Sequence, residues 1–580
     1  MKLSEALKIV QIAPASTAEK LTVFLACGFT PLHLTTFLTA HLRRRLPNRV
    51  VEIQTGLYGD LPGNITRLRK SKSDVGVIML EWSDFDPRLG LRSLGGWGPK
   101  AISDIQENVV SSANRFYKLL EDAGSTSSVV VSLPTLPLPP ISHLPEAQIG
   151  GGELSIRKTV QDFAFRIAEI PDLKILNQQQ LDETVPLSER LDVKAELAAG
   201  FPYQIAYASV FSDFLAGLIH PSPPKKGLIT DLDDTLWKGI LGEIGIAKVS
   251  WDLDKNSHIH GLYQQTLAAL AESGVLIGVA SKNDHDLVTK ALQRKDLIFS
   301  DKHLFPLEIN WQQKSRSVGK ILRAWNIDAD AVVFVDDSPI ELAEVNAVYP
   351  EMECLLFPKN DYQAAYRFMR KLRGMFGKQS ILEEDAIRVE SLRRAREFQN
   401  ETIGRSSQSL EDFLENVGAE LTFGEIEPDD SRAFELINKT NQFNLNGRRL
   451  SSAEFRAVLR RPGAVSFSIT YKDKFGPLGK IAVLLGAFEN SVLTIGTWVM
   501  SCRAFSRHIE HRCLQYLFEN YDVSEIELTY QATERNEPVR QFLLHFSDEK
   551  ELTYPYKIER EVFMNKKPAL LHDVVEVNNV

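Results

Sequence analysis

Asp231-Leu232-Asp233-Asp234-Thr235 follows the apolar run Gly227-Leu228-Ile229-Thr230 and sets two carboxylates two residues apart where a strand is expected to end. Side chains alternate along a strand, so Asp231 and Asp233 fall on one side as the chain leaves the sheet. One carboxylate so placed can attack phosphorus while the other handles a proton, and both can face Mg²⁺. An acidic turn closing a buried strand would use the same residues, so the neighbouring strand ends have to decide. An apolar strand over 275–280 ends in Ser281, Lys314 follows the expected strand 304–309, and the run 332–335 ends in Asp336-Asp337. Singly these read as a helix cap, a surface lysine and a strand-end turn. Together, in order after successive strands, they supply a hydroxyl, an ammonium group and a second acidic pair, which is what charge spreading over phosphoryl oxygens requires.

Such residues converge only if a parallel sheet brings its carboxyl ends together. Between 227 and 378 the chain repeats strand then helix, with strands expected at 227–231, 275–281, 304–309, 331–336 and 353–356. A similar alternation fills residues 1–220, with strands at 21–27, 50–54, 75–80, 129–133 and 173–177, while Gly150-Gly151-Gly152 reads as a loop. Pro221-Ser222-Pro223-Pro224-Lys225-Lys226 is a stiff, polar linker between the two. Residues 379–417 read as a charged helical connector, and 418–580 as an α+β unit with a hairpin-like pair at 464–471 and 479–489. The fold class expected is therefore α/β, with two parallel-sheet units followed by a mixed one.

Asp231 to Glu243, Ser281-Lys282-Asn283, Ile309-Asn310-Trp311-Gln312-Gln313-Lys314-Ser315 and Phe334-Val335-Asp336-Asp337-Ser338-Pro339 resemble the four motifs of the haloacid dehalogenase (HAD) superfamily, in its FkbH-type branch, subfamily IIIC. The likeness extends to Asn438-Lys439-Thr440-Asn441-Gln442-Phe443-Asn444-Leu445-Asn446 and Ser501-Cys502-Arg503. It implies a Rossmann-like phosphatase domain with a minimal cap and Mg²⁺ held by Asp231, Asp233, Asp336 and Asp337. It further implies Asp231 as nucleophile, Asp233 as acid and base, Ser281 and Lys314 on the phosphoryl group, and Thr235 and Asn283 near the substrate. In relatives of secondary metabolism, polyketide pathways among them, 1,3-bisphosphoglycerate is the substrate, and a glyceryl unit passes to the phosphopantetheine thiol of an acyl carrier protein. Many relatives carry a cysteine where this chain has Ala280, an asparagine at Asp234 and a glycine at Lys238. Without that thiol the chain either uses another acceptor or only removes phosphate, so a small-molecule phosphatase and a non-catalytic carrier-binding scaffold stand as alternatives.

Residues 418–580 are similar to the acetyltransferase-like (GNAT) domain that follows the phosphatase in this branch. Arg503-Ala504-Phe505-Ser506-Arg507-His508 stands where a glycine-rich pyrophosphate loop would be, with Ser506 and His508 at glycine positions. A pantetheine-gripping or carrier-binding surface is expected instead, with Asn441, Asn444, Cys502, Arg503 and Asn536 as candidate lining residues. Residues 1–220 resemble an SGNH-hydrolase-type domain whose nucleophile loop would be Ala26-Cys27-Gly28-Phe29-Thr30. The serine is missing and His33 comes too early to be the terminal base, so this unit is expected to be non-catalytic.

Composition narrows the setting. A formal net charge of −9 disfavours general nucleic-acid binding, and the 43% hydrophobic share is that of an ordinary globular protein. Four cysteines without C-x-x-C spacing suit a reducing compartment, and no stretch is long and apolar enough for a membrane span, so the expectation is a cytoplasmic protein.

Overall fold

The computed structural model describes residues 1–12, 19–124, 127–299, 301–378, 381, 385, 389–390, 392–394, 418–474, 476–489, 491–501, 504–505, 507–547, 552 and 554–577. The described residues form three sheets. By internal contacts the chain divides into Met1–Ser222 and Pro223–Val580, a division falling within the irregular proline-rich segment.

Met1–Ser222 is built on β1 (Glu19–Cys27), β2 (Arg49–Thr55), β3 (Val75–Met79), β4 (Ser128–Ser132) and β5 (Leu173–Ile175). They form an all-parallel sheet in the order β2-β1-β3-β4-β5. Alternation along β1 sends Val23, Leu25 and Cys27 into one core and Phe24 and Ala26 into the other, so helices cover both faces. Gly150-Gly151-Gly152, expected as a loop, instead opens the helix Gly151–Ala168. Ile156, Val160, Phe163 and Ile167 on that helix are buried, and their packing outweighs the poor helix propensity of the glycines.

In Pro223–Val580 the second sheet consists of β6 (Gly227–Thr230), β7 (Leu276–Ser281), β8 (Leu304–Ile309), β9 (Val332–Asp336) and β10 (Glu353–Leu356), again all parallel, in the order β10-β9-β6-β7-β8. Every residue of β9 is buried, Val333 and Val335 toward one core and Val332 and Phe334 toward the other. Each such side chain contributes about 1.5–3 kcal/mol through burial, which fixes the register and thereby the strand end.

The third sheet is mixed. It comprises β11 (Glu420–Glu425), β12 (Phe443–Asn444), β13 (Ala464–Asp473), β14 (Gly476–Glu489), β15 (Val492–Met500), β16 (Glu525–Leu528), β17 (Tyr556–Glu559) and β18 (Asp573–Val577). Its main path runs β17-β16-β15-β14-β13-β11-β18, with β12 paired to β15. The β15–β16 and β11–β18 pairs are parallel and the rest antiparallel. Arg535 beyond β16 reaches Asp330 (3.2 Å) and Asp328 (3.4 Å) ahead of β9, linking this sheet to the second. Most of the expected connector 379–417 lies outside the described residues. Among the described residues no helix is long and apolar enough to cross a membrane.

Candidate active site

β6 and β9 are neighbours, so the residues ending them meet at the carboxyl edge of the second sheet. The Asp231 amide continues the ladder, donating to the Val335 carbonyl at 2.9 Å. Lys314, first residue of the helix Lys314–Trp325, puts Nζ 3.0 Å from Asp231 Oδ1 and 2.5 Å from Asp336 Oδ2. The Ser338 amide holds the other oxygen of Asp336 at 2.9 Å. All three charged side chains are buried, as is Ser281 at the end of β7.

One ammonium group cannot neutralise two buried carboxylates. Burial, and then the charge of Asp231, push Asp336 up to about 7. Burial also raises Asp231, against the charge of Lys314 and hydrogen bonds from Lys314 and Ser281. Lys314 suffers the same desolvation, yet the two carboxylates hold it protonated and its pKa rises. Asp231 Oδ1 has no partner of hydrogen-bond geometry, and oxygens of Asp231, Asp336 and Asp337 lie within 4.8 Å of one another. An all-oxygen donor set in which two buried carboxylates share one ammonium group fits a hard divalent ion such as Mg²⁺.

Asp233 is held differently. Its Oδ1 accepts from the Trp237 indole (2.8 Å) and the Leu241 amide (3.1 Å), and its Oδ2 accepts from the Asn283 amide group (2.9 Å). Burial still raises its pKa, with Asp231 and Asp234 adding to the shift, so it is pre-aimed and inclined to keep a proton. The loop that carries it turns at Asp234 (φ 51°) and Gly239 (φ 101°), where a side chain on Gly239 would strike Ile244 at 2.4 Å. Between this loop and the helix His258–Glu272 stands only the short helix Leu241–Ile244, so no cap domain intervenes there.

Of the residues expected near substrate, Asn283 donates to Asp233, and Thr235 is fully buried with its hydroxyl unpartnered. Lys359 was not anticipated. It lies just past β10 and bridges Asp337 (2.7 Å) and Asp234 (2.8 Å). Reading past the end of every strand, the edge strand included, would have found it.

In the third sheet Asn444 and Asn536 are buried and occupied with backbone. Asn536 donates to the carbonyls of Asn444 (3.0 Å) and Gln531 (2.9 Å), and Asn444 donates to Thr440 O and accepts from the Gly447 amide. They close turns, which is not the open cleft lining expected of them. Asn441 accepts from Arg449 at 2.5 Å. Cys502 and Arg503 lie outside the described residues.

In the first unit Cys27, at the expected nucleophile position, is buried, donates to the Phe29 carbonyl at 3.2 Å, and has its thiol pushed up to about 12 by burial. His33 makes an edge contact with Phe201. Neither is arranged for nucleophilic chemistry.

No family model matches the sequence, and no curated protein matches it. Among solved structures, the N-terminal part of protein BF1531 from Bacteroides fragilis, which contains a phosphatase domain and is complexed with Mg, superposes with a TM-score of 0.52. The match is 19% identical and covers 66% of this chain and 100% of that one, so it shows a shared fold. An inhibitor-bound aryl esterase of M. smegmatis (15% identity, 35% and 98% covered, TM-score 0.19) and a family two carbohydrate esterase of Clostridium thermocellum (12%, 36% and 65%, 0.20) also match. At those scores neither fixes the fold of the region it covers.

Proposed function

We propose that the chain is a Mg²⁺-dependent phosphatase of the HAD type that works through an aspartyl-phosphate on Asp231. The observation that carries this reading is the buried Asp231–Lys314–Asp336 cluster at the carboxyl edge of a parallel sheet, beside a separately clamped Asp233. The fold shared with a Mg-complexed phosphatase domain supports it. Asp231, Asp336 and Asp337 would hold the ion, which when bound offsets charge on the phosphoryl oxygens.

Asp231 attacks phosphorus, and the bond to the leaving oxygen breaks as Asp233 delivers its proton to that oxygen. Asp233, now a carboxylate, takes a proton from water, whose oxygen attacks the phosphoryl group and frees Asp231 with release of phosphate. Lys314 and Ser281 keep the phosphoryl oxygens in place. Phosphate release from a panel of phosphate esters and acyl phosphates tests this, with Asp231→Asn as the control that must be silent.

The finer proposal is that this chemistry loads a glyceryl unit from 1,3-bisphosphoglycerate onto an acyl carrier protein. The uncapped edge, open to a bulky partner, supports it. On this reading residues 1–220 are a non-catalytic SGNH-like unit and 418–580 an acetyltransferase-like docking unit. A plain phosphatase is favoured by Ala280, which is fully buried and leaves no thiol at that position. Intact mass of holo carrier protein incubated with enzyme, Mg²⁺ and 1,3-bisphosphoglycerate separates the two: a glyceryl increment supports loading, and phosphate release alone supports the phosphatase.

A further inference from the structure

The first turn of the helix Ile509–Asn520, which packs on the third sheet, collects side chains that the phosphatase reading does not use. His508 caps the helix and His511 follows three residues later, a spacing that puts both on one face. Their rings lie 5.4 Å apart at 78°. Glu510 stands between them in sequence, with Oε1 3.3 Å from His511 Nδ1. One ligand atom from each of the three lies within 4.8 Å of the other two.

Two of these groups are buried and unsatisfied. Glu510 Oε2 has no hydrogen-bond partner, His511 Nδ1 has none of hydrogen-bond geometry beyond its 3.3 Å contact with Glu510 Oε1, and His511 is only 9% exposed. Phe542 (5.0 Å between ring centroids) and Phe546 (5.9 Å) wall His511 off from water. Buried polar atoms are nearly always paired, so two orphans on adjacent residues need a reason. The surrounding cations are tied down: Arg507 lies 3.7 Å from Asp473 and Arg512 3.7 Å from Glu519. His572, which feels the charges of His508, Arg512 and Glu510, also has an unpartnered buried Nδ1.

We infer that His508, Glu510 and His511 form a second metal site, for a divalent transition ion of intermediate softness such as Zn²⁺. Two imidazole nitrogens and one carboxylate oxygen are a donor set that suits zinc and its neighbours and not Mg²⁺, which separates this site from the all-oxygen one on the second sheet. Three protein ligands leave a further position for water or for His572. A dication at a helix N-terminus works against the helix dipole, so the charge of Glu510 is essential and its shape alone will not serve.

The test is calorimetric titration of Zn²⁺ into chelator-treated full-length protein carrying Asp336→Asn, so that the second-sheet carboxylates do not compete. Substitution with Co²⁺ then gives visible bands that report nitrogen ligands. One equivalent should bind, and His508→Ala, Glu510→Gln and His511→Ala should each weaken it at least tenfold. Circular dichroism establishes that each variant is folded, and His508, half-buried, tolerates truncation better than His511. No uptake by the folded parent overturns the proposal. So does loss of binding in His511→Ala alone with full affinity in the other two, because a ring that merely packs would behave that way.

Discussion

Glu81 and Asp231 are both buried carboxylates just past the carboxyl end of a strand in a five-stranded parallel sheet, yet their surroundings have opposite purposes. Glu81 is saturated by neutral donors: the Thr135 amide (3.1 Å) and hydroxyl (2.7 Å), the Leu136 amide (3.2 Å) and the Tyr203 hydroxyl (2.8 Å). Its neighbour Asp84 accepts from the Glu81 amide at 2.8 Å and packs so tightly on Gly28 that any side chain there would meet it at 2.0 Å. Asp231 instead shares one lysine with Asp336, the Lys314 ammonium lying 3.0 Å from Asp231 Oδ1 and 2.5 Å from Asp336 Oδ2. The first arrangement ties loops together and leaves nothing over. The second leaves two buried carboxylates sharing one ammonium group, an uncompensated charge of the kind that marks a candidate chemical site.

Replacing the proposed nucleophile gives the largest expected effect. Asp231→Asn should lower phosphatase turnover by about 10⁴-fold or more while circular dichroism stays unchanged. Retained turnover would move the chemistry elsewhere and erase the contrast with Glu81. Lys314→Met should strand two buried carboxylates and destabilise Pro223–Val580 by about 3–5 kcal/mol in denaturant titration.

The first unit should respond to pH instead. Burial raises both Glu81 and Asp84 to about 7, above their unfolded-state values, so the folded state holds more protons across that interval. Its stability is therefore greatest in acid and falls as pH rises from about 4 through about 7, by several kcal/mol, at about 1.4 kcal/mol for each pH unit by which each carboxyl is raised. Hydrogen exchange of β3 peptides at pH 5 and pH 8 reads this, and Glu81→Gln should reduce the slope to the part that Asp84 contributes. Lys359→Met, at a more exposed bridge, should cost under about 1 kcal/mol of stability and roughly tenfold in kcat. The smallest effect concerns Cys27: alkylating reagents should leave it untouched in the folded protein, and labelling without unfolding would reopen nucleophilic chemistry in that unit.

Strand ends were legible because period and burial announce them. β9 reads as an unbroken apolar run, and it ends at Asp336, where that run gives way to charge. Long-range pairing left no such trace. Nothing in Trp237 or Asn283 by itself announces a clamp on Asp233, because that role depends on a turn that folds Trp237 back and on β7 lying next to β6. Asn444 and Asn536 looked like cleft residues because asparagine serves turns and ligands equally, and only their carbonyl partners decide. β12, β17 and β18 escaped notice because each is short and takes its order from neighbours already in place.

β18 pairs in parallel with β11, although the two stand at opposite ends of the third sheet's sequence. On a ribosome, β11 emerges early and its outer edge waits, unpaired, until almost everything else in that sheet has been made. Such an edge is a template for the wrong neighbour. A nascent or truncated chain that ends before Asp573 should therefore expose a sticky border, and the order of synthesis, more than final stability, sets when the protein is most prone to aggregate.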